Sequence, residues 1–183
     1  PKVCPQFHLA LQSGSNTVLN RMARRYNMTM YMQAVDNLRA AFPLAAFTTD
    51  VLTCFPGETE EEYRETRQVI RDVGFAKIHV FPYSQREGTK AAVMPGQLSR
   101  AVKEQRTREL IALGEETAAA YQAQWLGRES TVLIEEKISG LWHGYTPEYI
   151  PVTLPDCPAC APGRLVNVRL TASCPEGMTA DVI

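Results

Sequence analysis

Asp50 is the residue most in need of a chemical explanation. It interrupts the apolar run Ala46–Phe55, and a carboxylate there is costly unless it is paired or put to use. A structural Asp bonded to backbone amides at a strand end competes with a ligand-binding one. Two other segments end in comparable polar clusters. Phe7–Ser15 delivers Gln12, Ser13 and Ser15, and Phe75–Tyr83 delivers Tyr83, Ser84 and Arg86, while Asp50 is followed by Thr53 and Cys54. Arg24 and Arg25 follow the first cluster. Carboxylate, amide and hydroxyl groups with a guanidinium nearby suit a nucleoside-type ligand that carries an acid group. Polar trim at a sheet rim is the plainer alternative.

These groups need a scaffold that gathers strand ends. Thr, Val, Leu and Phe make 46–55 a strand, and Pro56-Gly57 stops it. Thr59 and Glu62 form a capping box for the next helix, which the three glutamates 60–62 favour through the dipole and Gly74 ends. Helices are expected from Asn16 through Arg25, from Thr29 through Ala41 and from Ser99 to Gln124. Phe75–Tyr83 is continuous and apolar, as in a sheet covered on both faces. The order strand–helix–helix–strand–helix–strand–helix predicts parallel strands joined by crossover helices, with ligands beyond the carboxyl ends of the strands. Three strands make only part of a barrel.

Beyond Leu126-Gly127 the composition changes to short strands at 130–135, 140–145, 148–153 and 164–170, a small antiparallel β-barrel in expectation. Val166, Val168 and Leu170 point inward there, and Asn167 and Arg169 outward. The expected division is therefore 1–126 and 127–183.

Other candidate groups have quieter readings. Cys157 and Cys160 have metal-ligand spacing, but only Cys174 and His143 could complete a set, so a reduced pair in a loop is favoured. His8 and His79 read as core histidines. Trp125, Trp142, Tyr145 and Tyr149 could stack on bases but are more usually core. Arg100, Lys103, Arg106 and Arg108 read as a solvated helix face. The 183 residues are 45% hydrophobic and 21% charged with a net charge of −1, which gives no global polycationic signal for nucleic acid. No apolar run approaches a membrane span. Five cysteines without a framework favour a reducing, cytoplasmic setting.

Cys4-Pro-Gln-Phe-His-Leu-Ala-Leu-Gln-Ser-Gly14, Arg21–Tyr26, Thr49-Asp-Val-Leu-Thr-Cys-Phe-Pro-Gly-Glu-Thr59 and His79-Val-Phe-Pro-Tyr-Ser-Gln-Arg-Glu-Gly-Thr89 closely resemble the radical-SAM methylthiotransferases. The blocks recur in order across most of 4–92. The opening Cys-Pro and the block from His79 resemble the branch acting on threonylcarbamoyl-adenosine beside the tRNA anticodon. Residues from about Gly127 resemble, more loosely, the family's small RNA-binding barrel, the TRAM domain.

The resemblance implies α/β architecture with part of a TIM-like radical-SAM barrel and S-adenosylmethionine bound at its strand ends. Gln12 and Asp50 match ribose-holding positions, Arg24 matches one that grips the methionine carboxylate, and Leu52 would line the adenine. Ser13 and Tyr83 complete the expected cofactor set, and Arg128, Arg164 and Arg169 the expected RNA-binding set. The family's cysteine triplet for its iron–sulfur cluster is not in this sequence, and neither are the three cysteines that hold a second cluster. Cys54 stands where the family usually has Gly, and Gln6 where His is common. The expectation is a carboxyl-terminal fragment of a tRNA-modifying enzyme, inactive and iron-free alone, with a tendency to self-associate through its open half barrel. The competing expectations are a tRNA-binding module without catalysis, or a methylthiotransferase acting on another tRNA adenosine or a ribosomal protein.

Overall fold

The computed structural model describes residues 2–174 and 176–183. The chain divides into two compact units: one takes Phe7–Ala118, and the other takes Ala119–Ile183 with the residues up to Gln6. No helix among the described residues is long and apolar enough to cross a membrane.

The first unit is an α/β layer. Strands β1 (Gln6–His8), β2 (Ala46–Thr53) and β3 (Lys77–Pro82) form a sheet in that order, with β2 and β3 parallel and Asp50 in register with His79. Helices α1 (Asn16–Arg21), α2 (Met28–Ala41), α3 (Glu60–Val73) and α4 (Arg100–Ala123) connect and flank the strands. Phe47, Val51, Tyr63, Ile70, Phe75, Leu110 and Leu113 form the core on one face of the sheet. Along β2 the residues of that face alternate with the half-buried Thr48, Asp50 and Leu52.

Local chemistry explains the boundaries. Thr59 Oγ1 accepts from the Glu62 amide, the Glu62 carboxylate accepts from the Thr59 amide, and Gly74 closes α3 at φ 60°. α1 is shorter than the sequence suggested. It stops because Ala23 enters the left-handed region at φ 56°, so Arg24 and Arg25 lie beyond the helix. Ser15, not Asn16, holds its N-cap position. The Asn16 side chain instead accepts from the Met28 amide. Asn27, not Thr29, caps α2. β3 is covered on one face only: Lys77, His79 and Phe81 are exposed between the half-buried Ile78 and Val80.

β1 ends at His8 because the next carbonyls leave the ladder. Thr49 and Tyr31 hydroxyls donate to Leu9, and the Tyr26 hydroxyl donates to Ala10 and Leu11. The Leu11 amide donates in turn to Thr49 Oγ1.

The second unit is a closed five-stranded barrel in the order β4-β5-β6-β8-β7. Its strands are β4 (Glu129–Ile138), β5 (Leu141–Tyr145), β6 (Pro151–Leu154), β7 (Leu165–Cys174) and β8 (Gly177–Val182). The sequence reading did not include β8, and the barrel is not wholly antiparallel: β6 and β8 run parallel where the barrel closes. Val166, Val168 and Leu170 point inward and Asn167 and Arg169 outward, as the alternation requires. Val132, Ile134, Val152, Leu154 and Met178 fill the rest of the interior. Strands β4 and β5 approach so closely at Gly144 that a Cβ there would lie 2.1 Å from the Leu133 carbonyl oxygen.

Candidate functional site

Gln12 joins the first strand end to the second. Its amide donates to the Asp50 carbonyl at 2.8 Å, and its carbonyl accepts from the Leu52 amide at 2.8 Å. This bridge holds Gln12 in the left-handed region at φ 59°, which side-chain-bearing residues seldom occupy. Its side-chain oxygen accepts from Arg24 Nη2 at 2.9 Å, so the left-handed turn at Ala23 brings Arg24 back over the strand end. Arg24 is exposed and makes no ion pair among the described residues. Its remaining donors face solvent-accessible space.

Asp50 accepts no backbone amide among the described residues. Its carboxylate sits 3.6 Å from His8 Nε2 and is 37% exposed. The Nδ1 atom of His8 is 3.0 Å from Thr48 Oγ1. Neither His8 nor His79 is a core residue. Both are exposed, because they occupy alternate positions on the open face of the sheet beside Asp50.

Leu52 lies on the same face and packs against Val18, Phe55 and the buried Tyr83. The Tyr83 amide donates to Thr53, and its ring meets Phe55 edge-on at 5.5 Å. Ser13 is placed differently. Its hydroxyl is buried on α3, 3.2 Å from Thr66 Oγ1, and accepts from the Ser15 amide. Gly14 lets this loop touch α3, since a Cβ there would lie 2.6 Å from the Thr66 Cα.

The ion pairs that hold this rim were not singled out in the sequence. Arg21 grips Glu62 through two bonds of 2.9 and 2.7 Å. Burial pushes the Glu62 carboxyl up, but Arg21 and the Thr59 amide together pull it below the usual carboxylate range. Arg106 is no solvated residue. It is buried, stacks on Tyr63 at 4.6 Å, and donates to Glu58 at 2.7 Å and Glu60 at 3.1 Å. Burial raises the Glu58 carboxyl above its ordinary value against the pull of the Cys54 amide and Arg106. The signal was present in the sequence, because Arg106 leads Leu110 and Leu113 on one helical face. Glu58 also accepts from the amide of Cys54, which is fully buried and left-handed at φ 63°. Glycine would hold that conformation without strain.

The radical SAM superfamily matches residues 2–70. The threonylcarbamoyladenosine tRNA methylthiotransferase MtaB of Chlamydia pneumoniae is 36% identical over 180 residues, covering 98% of this chain and 43% of that protein. Its namesake in Bacillus subtilis is 38% identical over 174 residues, covering 92% of the chain and 38% of that protein. The tRNA-2-methylthio-N(6)-dimethylallyladenosine synthase of Nocardia farcinica is 38% identical over 200 residues, covering 99% and 38%. Along nearly its whole length the chain is similar to methylthiotransferases that modify tRNA, and its first 70 residues match the radical SAM superfamily. It spans about two fifths of the length of these relatives and matches their carboxyl-terminal part.

The groups at this rim are of the kinds that S-adenosylmethionine would need. Arg24 offers free guanidinium donors for a carboxylate, Asp50 an accessible acceptor for ribose hydroxyls, and Leu52 an apolar platform for a base. The cysteines do not fit an iron–sulfur cluster. Cys4 is exposed, Cys54 is buried, and Cys157 and Cys160 are joined in a disulfide rather than left as a reduced pair. The turn from Cys157 to Cys160, closed by an amide–carbonyl bond, brings their Cα atoms within 5.4 Å. Among the described residues no group of three or more His, Cys, Asp or Glu could hold a metal ion.

The residues expected to contact RNA lie on the second unit. Arg128 donates to the Gln124 carbonyl, Arg164 is exposed before β7, and Arg169 pairs with Glu129 across the β4–β7 ladder at 2.7 Å. Residues 127–183 hold four Lys or Arg against seven Asp or Glu, a net charge of −3. Trp125 is buried and Trp142 donates to Asp156, while Tyr145 and the exposed Tyr149 stack at 4.5 Å.

Proposed function

We propose that this chain is the part of a tRNA methylthiotransferase that holds S-adenosylmethionine at its strand ends and grips the substrate RNA. The observation that carries the reading is the Gln12–Arg24 bond set over the carboxyl end of β2, beside a half-buried Asp50 that has only His8 near it and, among the described residues, no Lys, Arg or backbone amide. In this reading Gln12 and Asp50 hold the ribose, Arg24 takes the methionine carboxylate, and Leu52 and Tyr83 flank the adenine. Ser13 acts through its backbone and the loop it anchors, since its hydroxyl is engaged by Thr66 and Ser15. The reaction of the whole enzyme is insertion of a methylthio group into an adenosine next to the anticodon. The iron–sulfur chemistry that starts it is held by residues outside this chain, and the chain alone is inactive.

The substrate we assign is threonylcarbamoyl-adenosine, on the strength of the block from His79 and of the two relatives named for that nucleoside. A dimethylallyl-adenosine substrate is favoured by the equally similar relatives named for that product. Nucleoside mass spectrometry of tRNA from cells lacking the gene separates the two. Residues 1–126 are assigned to the radical-SAM barrel and 127–183 to a TRAM-like unit that meets tRNA phosphates through Arg128, Arg164 and Arg169. The setting we assign is cytoplasmic. The isolated chain self-associates through the open face that bears Asp50, and mass by light scattering checks this, with a monomer as the contrary result.

Calorimetry with S-adenosylmethionine tests the cofactor site. Loss of one charged hydrogen bond costs about 1.5–3 kcal/mol, so Asp50→Ala should bind roughly ten- to a hundredfold more weakly. Unchanged affinity in a folded variant refutes the assignment.

A further inference from the structure

A cavity of about 620 Å³ lies in the first unit where β3 exits into Ser84 and Gln85 against the first turns of α4. Arg100, Lys103 and Arg108 line it, with Glu104 as the one carboxylate. Arg100 is committed to Glu104 at 2.6 Å, but Arg108 has no ion pair among the described residues. Lys103 gives one donor to the Tyr83 carbonyl at 2.8 Å and lies 5.2 Å from the Tyr83 ring, which leaves two ammonium donors unused. Two lining residues carry buried hydroxyls with no hydrogen-bond partner: Thr107, and Tyr83, which is itself 8% exposed.

Buried hydroxyls without partners are uncommon and call for an acceptor. Free cationic donors beside them select an anion with several oxygens, and a guanidinium fork matches phosphate. Tyr83 belongs to this wall and also to the apolar cluster that contains Leu52. An anion held here therefore abuts the strand ends assigned to the cofactor.

We propose that this cavity is a phosphate-binding site for the backbone of single-stranded RNA, in which Arg108, Lys103 and the Thr107 hydroxyl hold one phosphate of the substrate's anticodon loop. The proposal rests on the tRNA reading above. It makes the sheet unit, rather than the acidic barrel alone, a primary RNA contact.

The test is fluorescence anisotropy of a labelled anticodon stem–loop RNA titrated with the 183-residue chain over a salt series. Arg108→Gln replaces an exposed side chain and Thr107→Val is isosteric, so both should fold like the parent, as melting curves will check. Lys103→Gln is the third variant, and Arg64→Gln on α3 is the control. Loss of one phosphate contact should weaken binding about three- to tenfold for Arg108→Gln and for Lys103→Gln and lower the slope of log K against log salt by about 1. Thr107→Val should weaken it about twofold without altering the slope, and Arg64→Gln should leave both unchanged. Parent-like affinity and slope in folded Arg108→Gln and Lys103→Gln, with the parent binding RNA, overturn the site and leave the tRNA reading standing. No RNA binding by the parent chain overturns both. Saturable binding of inorganic phosphate that these variants abolish, while RNA affinity stays unchanged, marks a free-anion site and overturns the proposal.

Discussion

The sheet unit and the barrel hold themselves together in different ways. The barrel is a backbone ladder around Val132, Ile134, Val152, Leu154, Val168 and Leu170, and the side-chain bonds across its β4–β7 pairing, Arg169 to Glu129 and Thr131 to Asn167, are exposed. The sheet unit relies on side chains locked to backbone or to each other: Thr49, Tyr26 and Tyr31 on the carbonyls of 9–11, Arg21 on Glu62, and Arg106 on Glu58. Its left-handed residues other than glycine, Gln12, Ala23 and Cys54, gather around the rim, whereas those of the barrel, Ser139 and Tyr149, lie in the turns between β4, β5 and β6. Regular pairing suffices for a platform. A rim that must present Gln12, Arg24 and Asp50 together leaves regular pairing, and polar locks offset the cost.

Substitutions should separate the two regimes. Arg106→Met leaves the Glu58 carboxylate buried and unpaired, which should cost about 3–5 kcal/mol. Hydrogen exchange should show lost protection in α3 and α4 and none lost in β4–β8. Because the folded state holds the Glu58 carboxyl above its ordinary 4.5, protonation relieves the buried charge. The deficit should therefore shrink as the pH falls and be greatest well above that value. Equal loss in both units would break the comparison.

Glu62→Gln should cost about 1.5–3 kcal/mol through the lost charged bonds to Arg21. Its pH signature has the opposite sign. The folded pKa is lowered, so the contribution is present above the ordinary 4.5 and is lost as the pH falls through the lower folded value. Urea midpoints across acid pH should show a shallower acid limb in the variant. Gly144→Ala drives a methyl group into the Leu133 carbonyl and should cost about 1–3 kcal/mol, confined by hydrogen exchange to the barrel. Cys54→Gly sets relief of about 1–2 kcal/mol of left-handed strain against the loss of a small buried side chain. Its urea midpoint should correspond to a net change within about 1 kcal/mol.

Much of this division was legible in the sequence. The capping box at Thr59, the stop at Gly74 and the alternation from Val166 to Leu170 are local signals, and the structure follows them. The short α1 was not legible, because nothing local obliges Ala23 to turn left-handed. That turn is coupled to the Arg24–Gln12 bond, a tertiary contact. β8 is short, and although Met178, Ala180 and Val182 alternate along it, it gains its place by pairing at the barrel seam. The histidines read as core because a strand's apolar flanks do not say which face is covered. The Cys157–Cys160 bond depends on a turn that spacing alone does not dictate. Of the candidate site, the sequence named Gln12, Arg24 and Asp50 as candidates, but it did not reveal the Gln12–Arg24 bond or the commitment of the Ser13 hydroxyl to Thr66.

The central claim is that S-adenosylmethionine is held by the side-chain-locked rim and not by the barrel. Hydrogen-exchange mass spectrometry of the chain with and without S-adenosylmethionine tests it most directly. The account predicts added protection at 11–25 and 50–55, where Gln12, Arg24, Asp50 and Leu52 lie, with 127–183 unchanged. Protection confined to 127–183, or none at saturating ligand, would contradict it.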